Sequence, residues 1–462
     1  MTSLVLPDGP LLSWYGDDFT GSSAMIEAMS VAGLPAVLFF DVPTPPQRAE
    51  FAHYRGIGLA GVARAQSRAW MKSNLPRFYQ ALSDVGAPVS QYKICSTLDS
   101  SPEIGSIGTA LEIALPYLDG EWIPFIAAAP PIGRFQLFGN LFADAHGTGY
   151  RLDRHPTMSR HPVTPMHEAD VRLHLAAQTD IPIGLVDYPA LRAGRGAEVL
   201  AAQLAMGRRI VAIDVLDDES LADAGALIWE KRSKRIFAVG SQGIVYALAA
   251  YFHRSRALRA PAESIHAGKA DRIAVVCGSC SPITAAQIAW AERSGFALIR
   301  VDPRKAMDAS AWKAELDRAA AHAESALCLG RDPLIFTARG PDDPAVAAFF
   351  AAVAAAGVDP LAANETIGTG LGRVLDTLIR RSKIRRGVIV GGDTSSYAAQ
   401  VLDIYALTLA AATAPGAALF KAHSADPAFA SLEIALKGGQ MGAPEYFGQI
   451  KSGGAAVHTQ GA

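Results

Sequence analysis

Two adjacent carboxylates, Asp17 and Asp18, stand directly after a short apolar run, LLSWYG (11–16), and just before Thr20-Gly21-Ser22. Side by side at the end of a buried strand, such a pair can bind Mg²⁺ or take the proton of a hydroxyl. A helix N-cap would explain one aspartate but not the whole string GDDFTG (16–21). A second string, Cys277-Gly278-Ser279-Cys280, follows a strand pattern and opens a helix at about Pro282. Three readings fit it. It is an anion-binding turn with N–H groups and hydroxyls at a helix start, a CxxC thiol pair activated by that helix start, or plain turn structure. Zinc is disfavoured, because there is no second CxxC. Gly391-Gly392-Asp393-Thr394-Ser395-Ser396 follows the run GVIV (387–390). Its glycines let a backbone approach a phosphate closely, and its N–H groups and hydroxyls then contact the oxygens. The chain has no Walker-type G-x-x-x-x-G-K-[ST], so a nucleotide site here is of another kind. Lys437-Gly438-Gly439-Gln440 is one more glycine turn after a strand pattern.

Other patterns promise less. GIGLAG (56–61) matches the G-x-G-x-x-G fingerprint, but its glycines sit inside the apolar run, so a small-residue strand is the better reading. Five of the 11 histidines fall between 146 and 174, near Arg134, Arg151, Arg154 and Arg160. No metal-ligand spacing such as HExxH occurs there. The segment is either a solvated polar loop or a cationic lid over an acidic small molecule, where Arg would grip a carboxylate with two parallel hydrogen bonds.

These residues need strand ends and helix starts to hold them. Short apolar runs alternate with helix-period stretches almost end to end, the pattern of α/β domains. Strands are expected at 11–16, AVLFFDV, GIGLAGVA, VSQYKICS, WIPFIAAAP, IGLVDY, RIVAIDV and KRIFAVG. Helices are expected from about Thr20 to Ala32, from Arg68 to Val85 and from Ala190 to Met206. From Pro130 to Met166 no period is visible, so a long irregular segment is expected. After 255–271 the alternation resumes with RIAVVCG, ALIRVDP, DPLIFTARG, an Ala-rich helix, a helix over Glu365–Ser382, GVIVGGDTSS, and a strand-rich tail over Ala406–Lys437. The expected fold is two α/β domains, 1–257 and 270–455, each with a mostly parallel sheet flanked by helices.

Composition bounds the function. The 462 residues are 50% hydrophobic and 19% charged, with 42 basic and 44 acidic side chains and a net charge of -2. No field draws in a phosphate backbone, and no run of like charge segregates one, so nucleic acid is not an expected partner. The longest uncharged apolar stretch, Ile404–Phe420, is broken by Thr408, Thr413, Pro415 and Gly416, so no membrane span is expected. MTSLVLPDGP has no basic n-region, and four cysteines are too few for a disulfide framework; a cytoplasmic protein is expected.

Taken together, the strings resemble the four-carbon acid sugar kinase family, ATP-dependent kinases of threonate, erythronate and 3-oxo-tetronate. The matching blocks are GDDFTGSSA (16–24), YKICSTLDSSPEIGSIG (92–108), GRFQLFGNLF (133–142) with HPVTPM (161–166), CGSCSPITAAQI (277–288), GGDTSSYAAQ (391–400) and LEIALKGGQMG (432–442), in family order. The resemblance implies an N-terminal sugar-acid domain, a C-terminal nucleotide domain and an active site in the interdomain cleft. It implies ATP and Mg²⁺ as cofactors, a sugar acid and ATP as partners, and a homodimer as an assembly to expect. Asp17, Asp18, Thr20 and Gly21 would line the reaction site, extended by Lys93, Ser96, Thr97, Asp99 and Ser100. Ser279, Ser281, Gly391, Gly392, Asp393, Thr394, Gly438 and Gly439 would surround the nucleotide. Asp18, ahead of Asp17, would accept the proton of the terminal hydroxyl, giving a 4-phosphate. Lys93 or an arginine such as Arg134 would hold the substrate carboxylate. Asp99-Ser100 stands where many members carry Arg-Gly, which is similar to the 3-oxo-tetronate subgroup. Asn140 stands where others of that subgroup carry His.

Overall fold

The computed structural model describes residues 4–118, 120–145, 147–161, 163–259 and 265–454. The chain divides into two compact units, Met1–Ala262 and Glu263–Ala462. The α/β fold class expected from the alternating pattern is the one observed.

The first unit is built on eight parallel strands: β1 (Leu12–Gly16), β2 (Ala36–Phe39), β3 (Gly56–Ala60), β4 (Val89–Lys93), β5 (Ile123–Ile126), and, further on, β9 (Ile183–Val186), β10 (Ile210–Ile213) and β11 (Ile236–Gly240). Their order across the sheet is β2-β3-β1-β4-β11-β5-β10-β9. β1 and β4 are buried along their whole length, as parallel strands covered on both faces must be. The chain runs from β1 outward through β2 and β3 on one side, then crosses to β4 on the other. The carboxyl end of β1 is therefore a topological switch point, where open α/β sheets leave a crevice for ligands. Gly16 is in register with Ala60 and Lys93, so the residues that follow β1 and β3 emerge beside Lys93, the last residue of β4.

The expected irregular stretch after Pro130 is instead a small antiparallel sheet, β6 (Arg134–Leu137), β7 (Asn140–Ala145) and β8 (Thr148–Arg151). Its strands are short and only partly buried, so they lack the apolar alternation that marks longer strands. The two-residue turn Phe138-Gly139 has positive φ at both positions, the hairpin geometry that matches strand twist. The buried carboxylate of Asp214 fixes this turn by accepting from the N–H groups of Phe138 and Gly139. The helix expected over Ala190–Met206 is two helices, Tyr188–Arg192 and Gly196–Ala205. Gly194, at φ +72°, breaks it. The helices Phe19–Val31 and Arg68–Val85 stand as expected.

The second unit repeats the construction. Its strands are β12 (Ala274–Cys277), β13 (Ala297–Arg300), β14 (Pro333–Phe336), β15 (Arg386–Val390), β16 (Ala406–Ala414), β17 (Ala417–His423) and β18 (Glu433–Lys437). They are ordered β13-β14-β12-β15-β18-β17-β16, with β13 to β18 parallel and the last two pairings antiparallel. The tail is strand-rich, as its sequence suggested. The chain leaves β12 to one side through β13 and β14 and returns to β15 on the other, which makes the end of β12 a second switch point. Cys277, Val390 and Lys437 are level in register, so three turns open together at that edge. The helix expected at Glu365 begins five residues earlier, at Pro360, capped by Asp359. Among the described residues no helix is long and apolar enough to cross a membrane.

Candidate functional site

In the first unit the aspartate pair is split by its surroundings. Asp18 is the N-cap of the helix Phe19–Val31, and its Oδ1 accepts from Gly21 N at 3.0 Å. Its Oδ2 accepts from the Thr20 hydroxyl and faces Arg64 Nη1 at 3.1 Å. Burial pushes its pKa up, but Arg64, Lys93 and these hydrogen bonds outweigh that and hold it below the usual carboxylate value. Asp17 has the opposite fate. Its Oδ1 is buried without a hydrogen-bond partner among the described residues. Burial first, and the charge of Asp18 second, push its pKa up to about 7. One carboxylate of the pair is thus favoured as an anion, and the other is pushed toward its protonated form.

Arg64, which sequence reasoning did not single out, holds the cluster together. It lies on the turn after β3, and its Nη1 is 3.1 Å from Asp18 and 3.9 Å from Asp99. Burial opposes its charge, yet Asp18 and Asp99 among its neighbours raise its pKa well above the ordinary value. Lys93 is buried at the end of β4. A Cβ on Gly21 would stand 2.2 Å from Lys93 Nζ and 2.3 Å from Asp18 Oδ1, so only glycine lets the helix start approach both groups. Thr97 donates its hydroxyl to Asp99 Oδ1 at 2.8 Å. Asp17, Asp18, Thr20, Gly21, Lys93, Thr97 and Asp99 therefore come together as expected.

The other expected residues divide. Ser100 is buried, 2.8 Å from His174 Nε2 and 3.0 Å from Gln178 Nε2, so its hydroxyl is occupied within the fold. Ser96 is half-buried in the same loop. Arg134 Nη1 donates to the carbonyls of Ile132 and Gly133, while its Nε is buried without a partner among the described residues. Burial lowers its pKa, against the opposing pull of Cys95, Asp144 and Asp99. Asn140 sits beside the hairpin turn with its amide 3.3 Å from the Phe138 carbonyl. Within the arginine-rich segment Arg160 is exposed, and two further cations are paired. Arg151 and Arg154 are exposed and both pair with Asp153, and His155 and His161 accept backbone N–H groups as turn caps. His146 lies outside the described residues.

In the second unit the three turns knit into one surface. Ser281 caps the helix Pro282–Arg293 and also donates to the Gly439 carbonyl. Thr284 Oγ1 donates to Ser279 Oγ at 2.9 Å. Gly391, at φ +123°, adopts a conformation that side chains disfavour, and its N–H donates to the Lys437 carbonyl at 2.8 Å. A pocket opens here, lined by Gly278, Ser279, Cys280, Gly391, Gly392 and Thr394 on its polar side. Its apolar side comes from Val346, Phe349 and Phe350 of one helix, Pro344–Ala356, and Ile367 of the next, with Asn364 beside it. Phosphate-sized polar turns next to an apolar wall are what a nucleotide requires. Phe350 is 52% exposed, an aromatic face open to a base. Ser281, Gly438 and Gly439 lie behind this lining, joined to it through Ser279. The side chain of Asp393 is outside the described residues.

The thiols of the CxxC string are shifted away from redox reactivity. Cys277 and Cys280 are free thiols, and burial pushes Cys277 up to about 12 and raises Cys280, the reverse of an activated thiol. Among the described residues no three His, Cys, Asp or Glu side chains cluster as a metal cage.

Residues 12–248 match the family model of a sugar-binding N-terminal domain, and residues 274–447 that of a nucleotide-binding C-terminal domain. The chain is 48% identical over 448 residues to a 3-oxo-isoapionate kinase of Paraburkholderia graminis, covering 97% of this chain and 95% of that one. It is 30% identical over 449 residues to a 3-oxo-tetronate kinase of Methylobacterium radiotolerans, covering 95% and 98%. A solved structure from Haemophilus influenzae shares the fold at a TM-score of 0.66 and 24% identity, covering 94% of this chain and 98% of that one. With both domain models matched in order and full-length kinases among its relatives, the chain belongs to the four-carbon acid sugar kinase family and is a sugar-acid kinase.

Proposed function

We propose that the protein transfers the γ-phosphoryl group of ATP to a hydroxyl of a 3-oxo sugar acid, with 3-oxo-isoapionate the first candidate and 3-oxo-tetronate, threonate and erythronate the alternatives. The order follows the 48% and 30% identities to the kinases bearing those substrates' names. The observation that carries the chemistry is the division within the aspartate pair. Both carboxylate oxygens of Asp18 are engaged, whereas Asp17 keeps one oxygen without a partner among the described residues and a pKa of about 7. A general base works best with a pKa near the operating pH. Asp17, rather than Asp18, is therefore the base in this reading, and Asp18 anchors Arg64 and the helix start.

As the hydroxyl oxygen bonds to the γ-phosphorus, its proton passes to Asp17 and the bond to the bridging oxygen of ADP breaks. Lys93 and Arg134 are the cations for the substrate carboxylate, and Arg64 offsets charge gathering at the transferred group. The turns at Gly278–Ser279 and Gly391–Thr394 hold the phosphates through N–H groups and hydroxyls, and Phe350 meets the base. Mg²⁺ needs only one or two carboxylates beside phosphate oxygens, so the absence of a three-ligand cage among the described residues fits an ion that arrives on the triphosphate. There it would neutralise phosphate charge.

An ADP-release screen of 3-oxo-isoapionate, 3-oxo-tetronate, threonate and erythronate with MgATP tests the reading. Turnover on a 3-oxo acid is expected. Binding of acid and nucleotide without ADP release would replace the kinase by a sensor of the same fold.

A further inference from the structure

The last residue of β18, Lys437, is completely buried. Its ammonium donates to the carbonyls of Gly438 at 2.9 Å, Met441 at 3.0 Å and Gly439 at 3.5 Å, one for each of its three N–H bonds. The turn after β18 thus curls around a cation. The same carbonyls are gripped from the other side by the helix Pro282–Arg293. Gly439 O also accepts from Ser281 and Thr284, and Gln287 Nε2 donates to Met441, Gly442 and Ala443 at 3.0 to 3.1 Å. Lys437 O receives the N–H of Gly391, which ties in the third turn. Four residues from the ends of two strands, β18 and β15, are therefore held in place through one side chain and its own carbonyl. A Cβ on Gly439 would stand 2.7 Å from Ser279 Oγ, so a small shift of this turn moves the pocket lining.

We propose that Lys437 is a built-in cation around which the nucleotide turns of the C-terminal unit fold, a positioning residue for ATP that never touches it. The inference rests on the nucleotide reading above. Backbone carbonyls left facing one another without a donor repel, and each unmet buried carbonyl is costly. A tethered ammonium adds a charged donor to three of them at once, beside the side-chain donors of the helix Pro282–Arg293, and keeps the turn's geometry independent of any dissolved ion. The titratable groups that face it are Cys277 and Tyr446, whose ring centre is 5.9 Å from Nζ. Cys277 stays a neutral thiol, since burial pushes it up to about 12. Burial also brings Lys437 down to about 8.

The test compares wild type with Lys437→Met, which keeps the apolar stem and deletes the donors. The expected result is a rise of about tenfold or more in KM for MgATP, with KM for the sugar acid within about twofold. Partial recovery in ammonium chloride but not in sodium chloride of equal ionic strength supports the cation's role further. An unchanged KM for MgATP overturns the proposal. If that variant does not fold, Lys437→Gln, which removes the charge and shortens the reach, carries the test. A raised KM for MgATP with a flat KM for the acid supports the proposal, and an unchanged KM for MgATP overturns it. A wild-type protein that binds no MgATP at all would overturn the nucleotide reading instead.

Discussion

Arg64 Nη1 lies 3.1 Å from Asp18 Oδ2, and that contact holds Asp18 as an anion while burial raises the pKa of its chain neighbour Asp17. The guanidinium also stands 3.9 Å from Asp99, so one side chain spans both walls of the cluster. Lysine, a point charge on a flexible stem, cannot reproduce a planar fork. Replacing Arg64 with Ala is expected to lower kcat/KM by about 10²–10³, the range of removing one electrostatic stabiliser, and Arg64→Lys should recover only part. Steady-state kinetics on the best acid decide it; values within threefold of wild type would remove Arg64 from the machinery.

The two aspartates are expected to fail differently. Asp17→Asn should lower kcat by about 10²–10⁴ while sparing ATP binding. Its stability effect has a definite sign. The folded value of about 7 lies above the ordinary 3.8, so protonation of Asp17 favours the folded state below about pH 4 and that contribution is lost as pH rises through 7. Asn loses nothing over that range. The melting temperature of Asp17→Asn should therefore pull ahead of wild type between pH 4 and pH 7 and hold its lead above. Asp18→Asn keeps a capping side chain but leaves Arg64 short of a counter-charge, and should destabilise by about 1–3 kcal/mol. Thermal scans of both variants at pH 4 and pH 8 distinguish the roles.

A pH profile follows from the same assignment. With MgATP saturating, kcat/KM for the acid should climb with unit slope and level off above about pH 7, where Asp17 is ionised in the MgATP-bound enzyme that meets the acid. A profile already flat from pH 5 would assign the proton to another acceptor.

The thiols should be dispensable for turnover. Cys277 packs in the core with Ile288 and Tyr446, so a double Cys277→Ser and Cys280→Ser variant is expected to lose about 1–2 kcal/mol of stability yet keep its activity per folded molecule. Loss of turnover in a well-folded double variant would reopen thiol chemistry.

On the nucleotide side, Phe350→Ala removes an exposed aromatic face and should raise KM for MgATP about tenfold, in line with base stacking elsewhere. Gly278→Ala should do the same by another route. Its Cβ would stand 2.2 Å from Thr394 Oγ1, and Thr394 would have to move out of the lining. Neither change should alter KM for the acid.

Much of this was legible before any coordinates. Buried parallel strands read as continuous apolar runs, so β1, β3 and β12 could be seen together with the turns that follow them. The site residues at those turns, from Asp17 to Gly21 and from Ser279 to Thr394, could be seen for the same reason. Arg64 was not legible, because an arginine after a strand is ordinary and only the register of β3 with β1 brings it to Asp18. Phe349 and Phe350 were hidden in an alanine-rich helix that is apolar all round, with no stripe to say which face meets a ligand. The β6-β7-β8 sheet escaped because partly buried or exposed strands of four to six residues carry too few alternations to count. Ser100 matched a motif, yet His174 and Gln178, more than 70 residues away, occupy its hydroxyl.

The N-cap at Asp18 has an evolutionary reading. Its carboxylate serves helix and cluster at once, whereas Asp17 burdens the fold with a buried oxygen that has no partner among the described residues. A duplicated copy freed from selection for turnover would shed Asp17 first and grow sturdier for it, but would hold on to Asp18 as scaffolding. In a retired paralogue of this chain, the second aspartate of GDDFTG would therefore outlive the first.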